Sequence, residues 1–274
     1  MAVQSAMQEE GHTVSVAQLC RWFGVARSSF YYRERCRQMR PLNPALVELV
    51  RAGIARAPSH GVPMLTAAIR RETGRCINHK AIRRIVQLHG WQVCKRPKGQ
   101  RPRPKAWRSQ AAHSNERWAI DTTQLLCGRD GWCHMTAVID CHDRSIVGWR
   151  LSKSGKATVA AGALEDALRA RRPTRPLTIR SDNGLVFGAA DFVRVVKQYG
   201  LSQEYITPYT PEQNGMIERF FRTLKEECIW HHRLASQDAA FVAIANYIDH
   251  YNQRRPHSAL GYQPPAEYIM KLAA

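Results

Sequence analysis

Apolar and polar residues in the second half of the chain follow patterns that predict strands and helices in turn. Short runs enriched in β-branched and aromatic residues indicate strands, and longer Ala-rich or periodic runs indicate helices. The predicted strands cover 117–125, 132–140, 146–151, 177–181 and 202–205, and the predicted helices cover 158–170 and 189–199. Three successive strands followed by strand–helix alternation predict an α/β domain with a mixed sheet.

Two amphipathic helices are expected after the last strand. The first has a buried face at i, i+3, i+4, i+7 and i+11, formed by Ile217, Phe220, Phe221, Leu224 and Cys228. Its adjoining face carries Glu218, Arg222 and Lys225. The second covers 238–251 and is expected to pack on the core through Phe241, Val242, Ala245, Ile248 and Tyr251.

The segment 14–33 predicts two short helices separated at Gly24. The first helix carries the apolar residues Val16, Leu19, Cys20 and Phe23. A helix-turn-helix would place the second, basic helix with Arg27 in the major groove of DNA. The alternative is a plain helical hairpin whose aromatic residues form its core.

A second basic helical module is predicted over 41–94. Helices are expected at 45–56 and 64–73, and a third is capped by Asn78 and ends at Gly90. The apolar face of the third helix consists of Ile82, Ile85, Val86 and Leu88. Arg83 and Arg84 on this helix either contact DNA, as in a helix-turn-helix, or belong to a solvated face.

A basic run at 95–112 marks the clearest boundary. Pro97, Pro102 and Pro104 stiffen it, and the Lys and Arg residues between them repel one another. The sequence thus predicts a helix-turn-helix-like segment (1–40), a second basic helical module (41–94), a linker (95–112) and the α/β domain (113–274).

The net charge narrows the possible functions. Lys and Arg exceed Asp and Glu by 19, which is typical of a protein that neutralises phosphates and unusual for an enzyme of small metabolites. No apolar run reaches the roughly 18 residues of a membrane span, and the N-terminus lacks the apolar core of a signal peptide. We therefore expect a soluble intracellular protein that binds nucleic acid and has no membrane partner.

Eight cysteines are scattered without a paired framework, which favours free thiols. Two groupings resemble metal sites: Cys76 and His79 with His89 and Cys94, and 133–134 with 141–142, each Cys-His. Neither contains the Cys-x-x-Cys half-site of ordinary structural zinc, and the second alternates as a strand does. Zinc is therefore the weaker interpretation.

Three acidic residues stand in contexts that suggest a metal site. Asp121 interrupts an otherwise apolar strand, Asp182 follows a strand at the turn 182–184, and Glu218 lies on the edge of a packed helix. Carboxylates held on rigid structure suit hard divalent cations. A hydrogen-bonded or edge-facing role for Asp121 is the alternative. The competing acids Asp130, Asp140 and Asp143 lie at turns or strand ends without partners at suitable spacing.

The contexts and spacing of these acids resemble a known family. Thirty-five residues separate Asp182 from Glu218, and Lys225 follows seven residues later. The matching motifs are Trp-Ala-Ile-Asp-Thr-Thr at 118–123, Ser-Asp-Asn-Gly at 181–184, Pro-Glu-Gln-Asn-Gly-Met-Ile-Glu-Arg-Phe at 211–220 and Tyr-Asn-Gln-Arg-Arg-Pro-His-Ser-Ala-Leu-Gly-Tyr at 251–262. Over about 113–272, the chain resembles the retroviral-integrase-like DDE transposases, in particular insertion-sequence transposases whose catalytic part is encoded in a second reading frame.

The resemblance implies a ribonuclease-H-like core and a two-metal reaction on DNA. Two Mg²⁺ ions per site, with Mn²⁺ as a substitute, would be held by Asp121, Asp182 and Glu218, and Asp121 would bridge both. The implied activity is 3′-end cleavage followed by strand transfer. The loop 208–215 is expected to lie over the site and to move.

The resemblance also implies DNA partners and a location in the bacterial cytoplasm, associated with the nucleoid. Expected DNA contacts are Lys225, Arg222, Asn183, Asn214, Arg27, Arg83 and Arg84. The segment 254–257 either contacts DNA or ends the domain. The partners implied are double-stranded DNA at the ends of the mobile element and at the target, further copies of the chain, and an upstream-frame DNA-binding product. A related nuclease that does not join strands and a catalytically silent DNA-binding regulator remain alternatives.

Overall fold

The computed structural model describes residues 6, 7, 9–11, 13–32, 41–93, 111–207 and 210–273. Most of the expected linker 95–112 and two residues of the loop over the site, 208 and 209, lie outside these residues. The chain divides into two compact units, Met1–Leu42 and Asn43–Ala274. Each is described by itself.

The first unit contains the two short helices that the sequence predicts, α1 (Val16–Trp22) and α2 (Arg27–Phe30). The side chain of Ser15 caps α1, and Gly24 has a φ of +62°, which ends the helix at low cost. Leu19 and Cys20 are buried as expected, but Phe23 is 65% exposed. Phe23 is the C-cap of α1, so it does not lie on the buried helical face that the periodicity predicted.

The second unit begins with the three predicted helices of the basic module, α3 (Pro44–Arg56), α4 (Val62–Thr73) and α5 (His79–Leu88). Asn43 and Asn78 cap α3 and α5 through their side chains. Ile82, Ile85 and Val86 of α5 are buried as predicted, whereas Leu88 is half exposed. Leu88 lies six residues after Ile82, which places it off the i, i+3, i+4 face.

A five-stranded sheet forms the centre of the α/β domain. Its strands are β1 (Arg117–Leu126), β2 (Trp132–Asp140), β3 (Ile146–Ser152), β4 (Thr178–Ser181) and β5 (Ser202–Tyr205). They are ordered β3-β2-β1-β4-β5; the first three are antiparallel, and β4 lies parallel to both β1 and β5. The mixed sheet expected of a ribonuclease-H-like core is confirmed.

Helices cover both faces of the sheet and enclose two apolar cores. The helices are α6 (Ala157–Arg171), α7 (Leu185–Gly188), α8 (Ala190–Gln198), α9 (Gly215–Glu227), α10 (Gln237–Gln253) and α11 (Pro265–Ala273). Trp118 and Ile120 of β1 pack in the core that α6 and α8 cover. Ala119 and Leu125, which point to the opposite face, pack in the core that α9 and α10 cover. The central strand β1 is therefore buried on both sides.

The structure corrects the predicted inner face of α10 and adds two helices. Residues Phe241 and Val242 are 50% and 58% exposed. The buried positions are Ala240, Ile244, Tyr247, Ile248 and Tyr251. This set follows the helical period more closely, and Phe241 lies instead against Trp149 of β3, with ring centroids 4.9 Å apart. The short helix α7 and the last helix α11 were not predicted.

Among the described residues, no helix has the length and apolar content needed to cross a membrane. The fold separates one of the two cysteine groupings. Cys133 and Cys141 are buried at opposite ends of β2, and eight residues of extended strand span about 26 Å. These two thiols cannot bind the same ion. Cys94, of the other grouping, lies outside the described residues.

Candidate active site

Asp121 and Asp182 lie on neighbouring strands because β1 and β4 are parallel and in register. Ala119 pairs with Arg180, and each aspartate comes two residues later, so both reach the same level at the carboxyl end of the short β4. Asp121 also shares the side-chain parity of Ala119, which faces α9 and α10. The sheet thus directs Asp121 towards the helix that carries Glu218.

Asp121 is held in a half-buried position where its charge is disfavoured. Its Oδ1 atom accepts a hydrogen bond from the backbone N–H of Thr122, with a distance of 2.7 Å. Burial raises the pKa of the Asp121 carboxyl to about 6, and repulsion from Asp182 and Glu218 adds to the rise. Asp182 and Glu218 therefore each lie within electrostatic reach of Asp121.

Asp182 belongs to a tight turn in which a side chain at position 184 would press on the Asp182 carboxylate. The backbone N–H of Gly184 donates to Oδ1 of Asp182 at 2.9 Å. A Cβ atom on Gly184 would lie 2.8 Å from the same oxygen. The side-chain amide of Asn183 donates to the carbonyl of Ile206 at 2.9 Å. The amide of Asn183, which was expected to contact DNA, thus fastens the Asp182 turn to the chain after β5.

Glu218 lies in the first turn of α9. The buried face of the helix, Ile217, Phe220, Phe221 and Leu224, fixes its position as predicted. Glu218 itself is exposed. Partial burial raises the pKa of its carboxyl, and the nearby Glu212 adds to the rise. Asp121 and Glu218 thus both have a carboxyl pKa above the ordinary value.

The loop before α9 is tied down by a buried arginine that sequence reasoning missed. Arg180 is 4% exposed; it donates to Glu204 at 2.9 and 3.0 Å and to the carbonyl of Gln213 at 3.0 Å. The side chain of Gln213 in turn bonds to Thr207. A charged residue inside the short apolar strand β4 was the sequence signal for this role. Arg180 therefore connects the strand that precedes Asp182 to the loop that precedes Glu218.

Two polar side chains of this loop have buried atoms without a partner in the described structure. Asn214 is 2% exposed and its Oδ1 atom accepts no hydrogen bond; an Oε2 atom of Glu212 is likewise buried without a donor. Asn214 was expected to contact DNA, and Glu212 was not singled out. Both lie in the 3₁₀ turn Pro211–Asn214, immediately before the helix of Glu218.

The other expected DNA contacts occupy varied positions. On α9, Lys225 is half-buried, and Arg222 is exposed but pairs with Glu226 at 2.9 Å. On α5, Arg83 is exposed, whereas Arg84 is half-buried and interacts with other groups. In the first unit, the guanidinium of Arg27 lies 6.0 Å from the ring centre of Tyr31. Of the cations expected to contact DNA, only Arg222 and Lys225 lie on the same helix as Glu218.

The three competing acids have structural roles. Asp140 is fully buried and accepts hydrogen bonds from Trp118 and from three backbone N–H groups. Asp143 pairs with Arg171, and Asp130 pairs with Lys153 while accepting from the backbone of Gln237. Their hydrogen-bond capacity is committed within the fold.

The three candidate acids provide a donor set suited to a hard divalent cation. Each offers carboxylate oxygens, and the second oxygens of Asp121 and Asp182 accept no hydrogen bond within the described residues. In the part of the chain that the structure describes, no three acidic, His or Cys side chains are close enough to enclose one metal ion.

Comparison with known proteins places this region in one family. Two models, each described as an integrase core domain, match residues 111–211 and 199–265. The chain is 28% identical over 231 residues to the transposase InsD of insertion element IS2A/D/F/H/I/K from Escherichia coli, covering 80% of this chain and 76% of InsD. Together the two integrase core models span residues 111–265, which is more than half of the chain.

The matches to solved structures have TM-scores below 0.5. The simian T-cell lymphotropic virus intasome in complex with a PP2A regulatory subunit has a TM-score of 0.47 at 15% identity, covering 80% of this chain and 73% of the matched chain. The catalytic core domain of BIV integrase has a TM-score of 0.42 at 18% identity, covering 58% of this chain and 97% of the matched one. From the two integrase core matches and the InsD relationship, the chain belongs to the insertion-sequence DDE transposases of the retroviral-integrase-like superfamily.

Proposed function

We propose that this chain cuts and joins DNA at the ends of a mobile insertion sequence in a reaction that requires a divalent metal. Asp121, Asp182 and Glu218 are the proposed catalytic acids. The observation that carries this proposal is the parallel register of β1 and β4, which brings Asp121 and Asp182 to the same level of the sheet, with Asp121 on the face that α9 covers. Burial, and to a smaller extent repulsion from Asp182 and Glu218, also raises the pKa of Asp121. Such crowding of negative charge disfavours the unliganded site, and a bound cation would relieve it.

The proposed cofactor is Mg²⁺, with Mn²⁺ as a substitute and two ions per site. Asp121, Asp182 and Glu218 would together hold these ions through their carboxylate oxygens. Such a pair of ions stabilises both the attacking and the leaving oxygen in an in-line displacement at phosphorus.

The proposed reaction has two phosphoryl transfers. A water oxygen first attacks the phosphodiester at the 3′ end of the mobile element; the bond from phosphorus to the 3′ oxygen breaks, leaving a 3′-hydroxyl on the element and a 5′-phosphate on the flanking strand. That 3′-hydroxyl then attacks a target phosphodiester and releases the 3′-hydroxyl of the target. Each new P–O bond replaces one that breaks, so no covalent protein intermediate is required.

The proposed partners follow from this reaction. The chain would bind double-stranded DNA at both ends of the mobile element and at the target, and two ends must be held together for joining. An assembly of several copies on DNA is therefore proposed, either alone or with a DNA-binding product of the upstream reading frame.

Cleavage and joining of labelled mobile-element ends in Mg²⁺ or Mn²⁺ test the proposal. We expect Asp121→Asn, Asp182→Asn and Glu218→Gln each to reduce both products at least about 10³-fold, because each removes a charged ligand of the reacting centre. DNA binding should survive in all three variants. Asp249→Asn is the matched control, since Asp249 is exposed on α10 and makes no hydrogen bond there.

Other outcomes identify the alternatives. Cut strands without joined products would indicate a nuclease, and equal behaviour of wild type and Asp182→Asn would indicate a silent regulator. If the wild type binds DNA without cutting it, the same assay is repeated with the upstream-frame product. Inactivity there as well contradicts the proposal.

A further inference from the structure

A cationic cavity lies beside the candidate active site and is not used by the proposed chemistry. It has a volume of about 270 Å³ and lies between the first turns of α9, the turn between β2 and β3, and the segment that follows α10. Its lining includes three arginines and no acidic residue; the polar side chains are Arg144, Arg219, Thr223, Arg255, His257 and Ser258. Phe220 and Tyr251 supply apolar walls.

The positive charges of the cavity are only partly compensated. Arg255 forms a bidentate ion pair with Glu227, at 2.7 and 2.8 Å, which compensates its charge. Arg144 has a buried Nε atom without a hydrogen-bond partner. Among the described residues, the guanidinium of Arg219 also has no ion-pair or hydrogen-bond partner. Two guanidinium groups thus face the cavity without a counter-charge.

His257 adds a buried group with unused hydrogen-bonding capacity. The residue is 9% exposed, and its Nε2 atom is buried without a partner. Its ring packs edge-on against Tyr251, with centroids 4.6 Å apart. Burial and the positive charge of Arg255 lower the pKa of this imidazole to about 3. A buried polar atom of this kind is normally satisfied by a ligand or by water.

The N-terminus of α9 also favours an anion in the cavity. Gly215 and Met216, in the first turn of this 13-residue helix, line the cavity. The side chain of Asn214, at the N-cap, makes no capping hydrogen bond. A helix N-terminus carries a partial positive charge and unpaired N–H groups, so it adds to the attraction for an anion.

We propose that this cavity binds a phosphate group. Guanidinium groups match the oxygens of phosphate in geometry and charge. The volume lies below the roughly 300–1,000 Å³ of sites for drug-sized ligands, which suits one phosphate rather than a whole nucleotide. The source of the phosphate rests on the proposed function: a DNA strand at the reacting centre would supply it, since Arg219 and Glu218 lie in the first turns of the same helix. A free phosphate compound is the other source of the same chemistry.

Inorganic phosphate is the first probe, titrated into the full chain by calorimetry at constant ionic strength. We expect saturable binding that weakens about tenfold or more in Arg219→Gln and in Arg144→Gln, because each loses a charged hydrogen-bond donor. Arg194→Gln is the matched control, with the same loss of charge at an exposed position on α8 outside the cavity. Arg219 is exposed, so its replacement should leave the fold intact.

Duplex DNA is the second probe and distinguishes the two sources. If the phosphate belongs to DNA, Arg219→Gln weakens duplex binding and reduces the slope of log K against log salt by about one, and inorganic phosphate competes with the duplex. If the ligand is a free phosphate compound, the calorimetric result persists while duplex binding is unchanged. Either result supports a phosphate site.

Two results overturn the proposal: no saturable phosphate binding by the wild type, or equal binding by the wild type, Arg219→Gln and Arg144→Gln. The proposed catalytic function is tested separately by Asp182→Asn. That variant should bind phosphate as the wild type does, so failure of catalysis and failure of the phosphate site give different results.

Discussion

Glu227, at the end of α9, connects three separate segments of the second unit. It pairs with Arg255, accepts from the hydroxyl of Ser59 at 2.8 Å, and accepts from the hydroxyl of Tyr247 at 3.0 Å. Ser59 lies between α3 and α4, so this carboxylate joins the basic helical module to the α/β domain. The segment 254–257 was expected either to contact DNA or to end the domain, and Arg255 within it is instead 8% exposed and paired.

Removing the charge of Glu227 should destabilise the protein. Glu227→Gln leaves the buried guanidinium of Arg255 without a counter-charge, which typically costs about 3–5 kcal/mol of unfolding free energy. Equilibrium urea unfolding measures the change. Glu48→Gln is the matched control, because Glu48 pairs with Arg51 at 3.7 Å on an exposed face and such pairs contribute about 0–1 kcal/mol. Equal destabilisation of both variants would contradict this assignment.

The same residue predicts a loss of stability in acid. Burial acts to raise the pKa of Glu227, but the pairing with Arg255 outweighs it and holds the pKa at about 2. A carboxyl whose pKa is lowered on folding contributes stability above its unfolded pKa, and loses it as pH falls through the folded pKa. Unfolding free energy should therefore fall between about pH 5 and 2. The unfolding free energy of Glu227→Gln should fall less steeply with decreasing pH than that of the wild type. Equal slopes in the two proteins would contradict the role given to Glu227.

At the scale of elements, strand β3 and helix α6 pack closely against each other. The face of α6 against the sheet is made of small residues, including Ala160, Ala163 and Ala167. Opposite them, a Cβ atom on Gly148 of β3 would lie 2.5 Å from the carbonyl oxygen of Ala163. The alanine-rich pattern of 158–170 predicted the helix; the need for glycine at position 148 follows only from the packing.

Gly148→Ala should therefore destabilise the domain by about 1–3 kcal/mol or more, since overpacking against backbone forces the helix away from the sheet. Thermal or urea unfolding measures the effect. Gly188→Ala is the control, because a Cβ atom there has no neighbour within 4 Å and the residue has no positive φ. That change should be neutral or slightly stabilising. A neutral Gly148→Ala would show that β3 and α6 can separate freely.

At the scale of the whole molecule, charge dominates the expected behaviour. The net charge is +19, and cations are exposed on both units, for example Arg27 in the first and Arg83 in the second. Within the second unit, the helical module is joined to the α/β domain by Ser59 with Glu227 and by the ion pair of Arg71 with Glu267. A basic module fixed to the domain that carries the acids suits binding along a DNA backbone.

DNA affinity should depend steeply on salt. For six to ten phosphate contacts, affinity falls by about 10³–10⁵ between roughly 50 and 200 mM salt, and we expect a fall of at least about 10³. Fluorescence anisotropy of a labelled duplex measures it, with circular dichroism at each salt concentration as a control for folding. A change smaller than about tenfold would contradict a backbone-dominated mode of binding.

The sequence by itself determined the strands, most of the helices and the three candidate acids. Periodicity reports which residues avoid water, and Asp121 and Asp182 stood out because a carboxylate conflicts with, or ends, an apolar strand. Local pattern could not determine the inner face of α10, the burial of Arg255 or the role of Arg180. These depend on which segments meet: Glu227 meets Arg255 and Ser59 only after distant parts of the chain pack together. The cationic cavity beside α9 is likewise a product of tertiary structure, because its walls come from segments more than 100 residues apart.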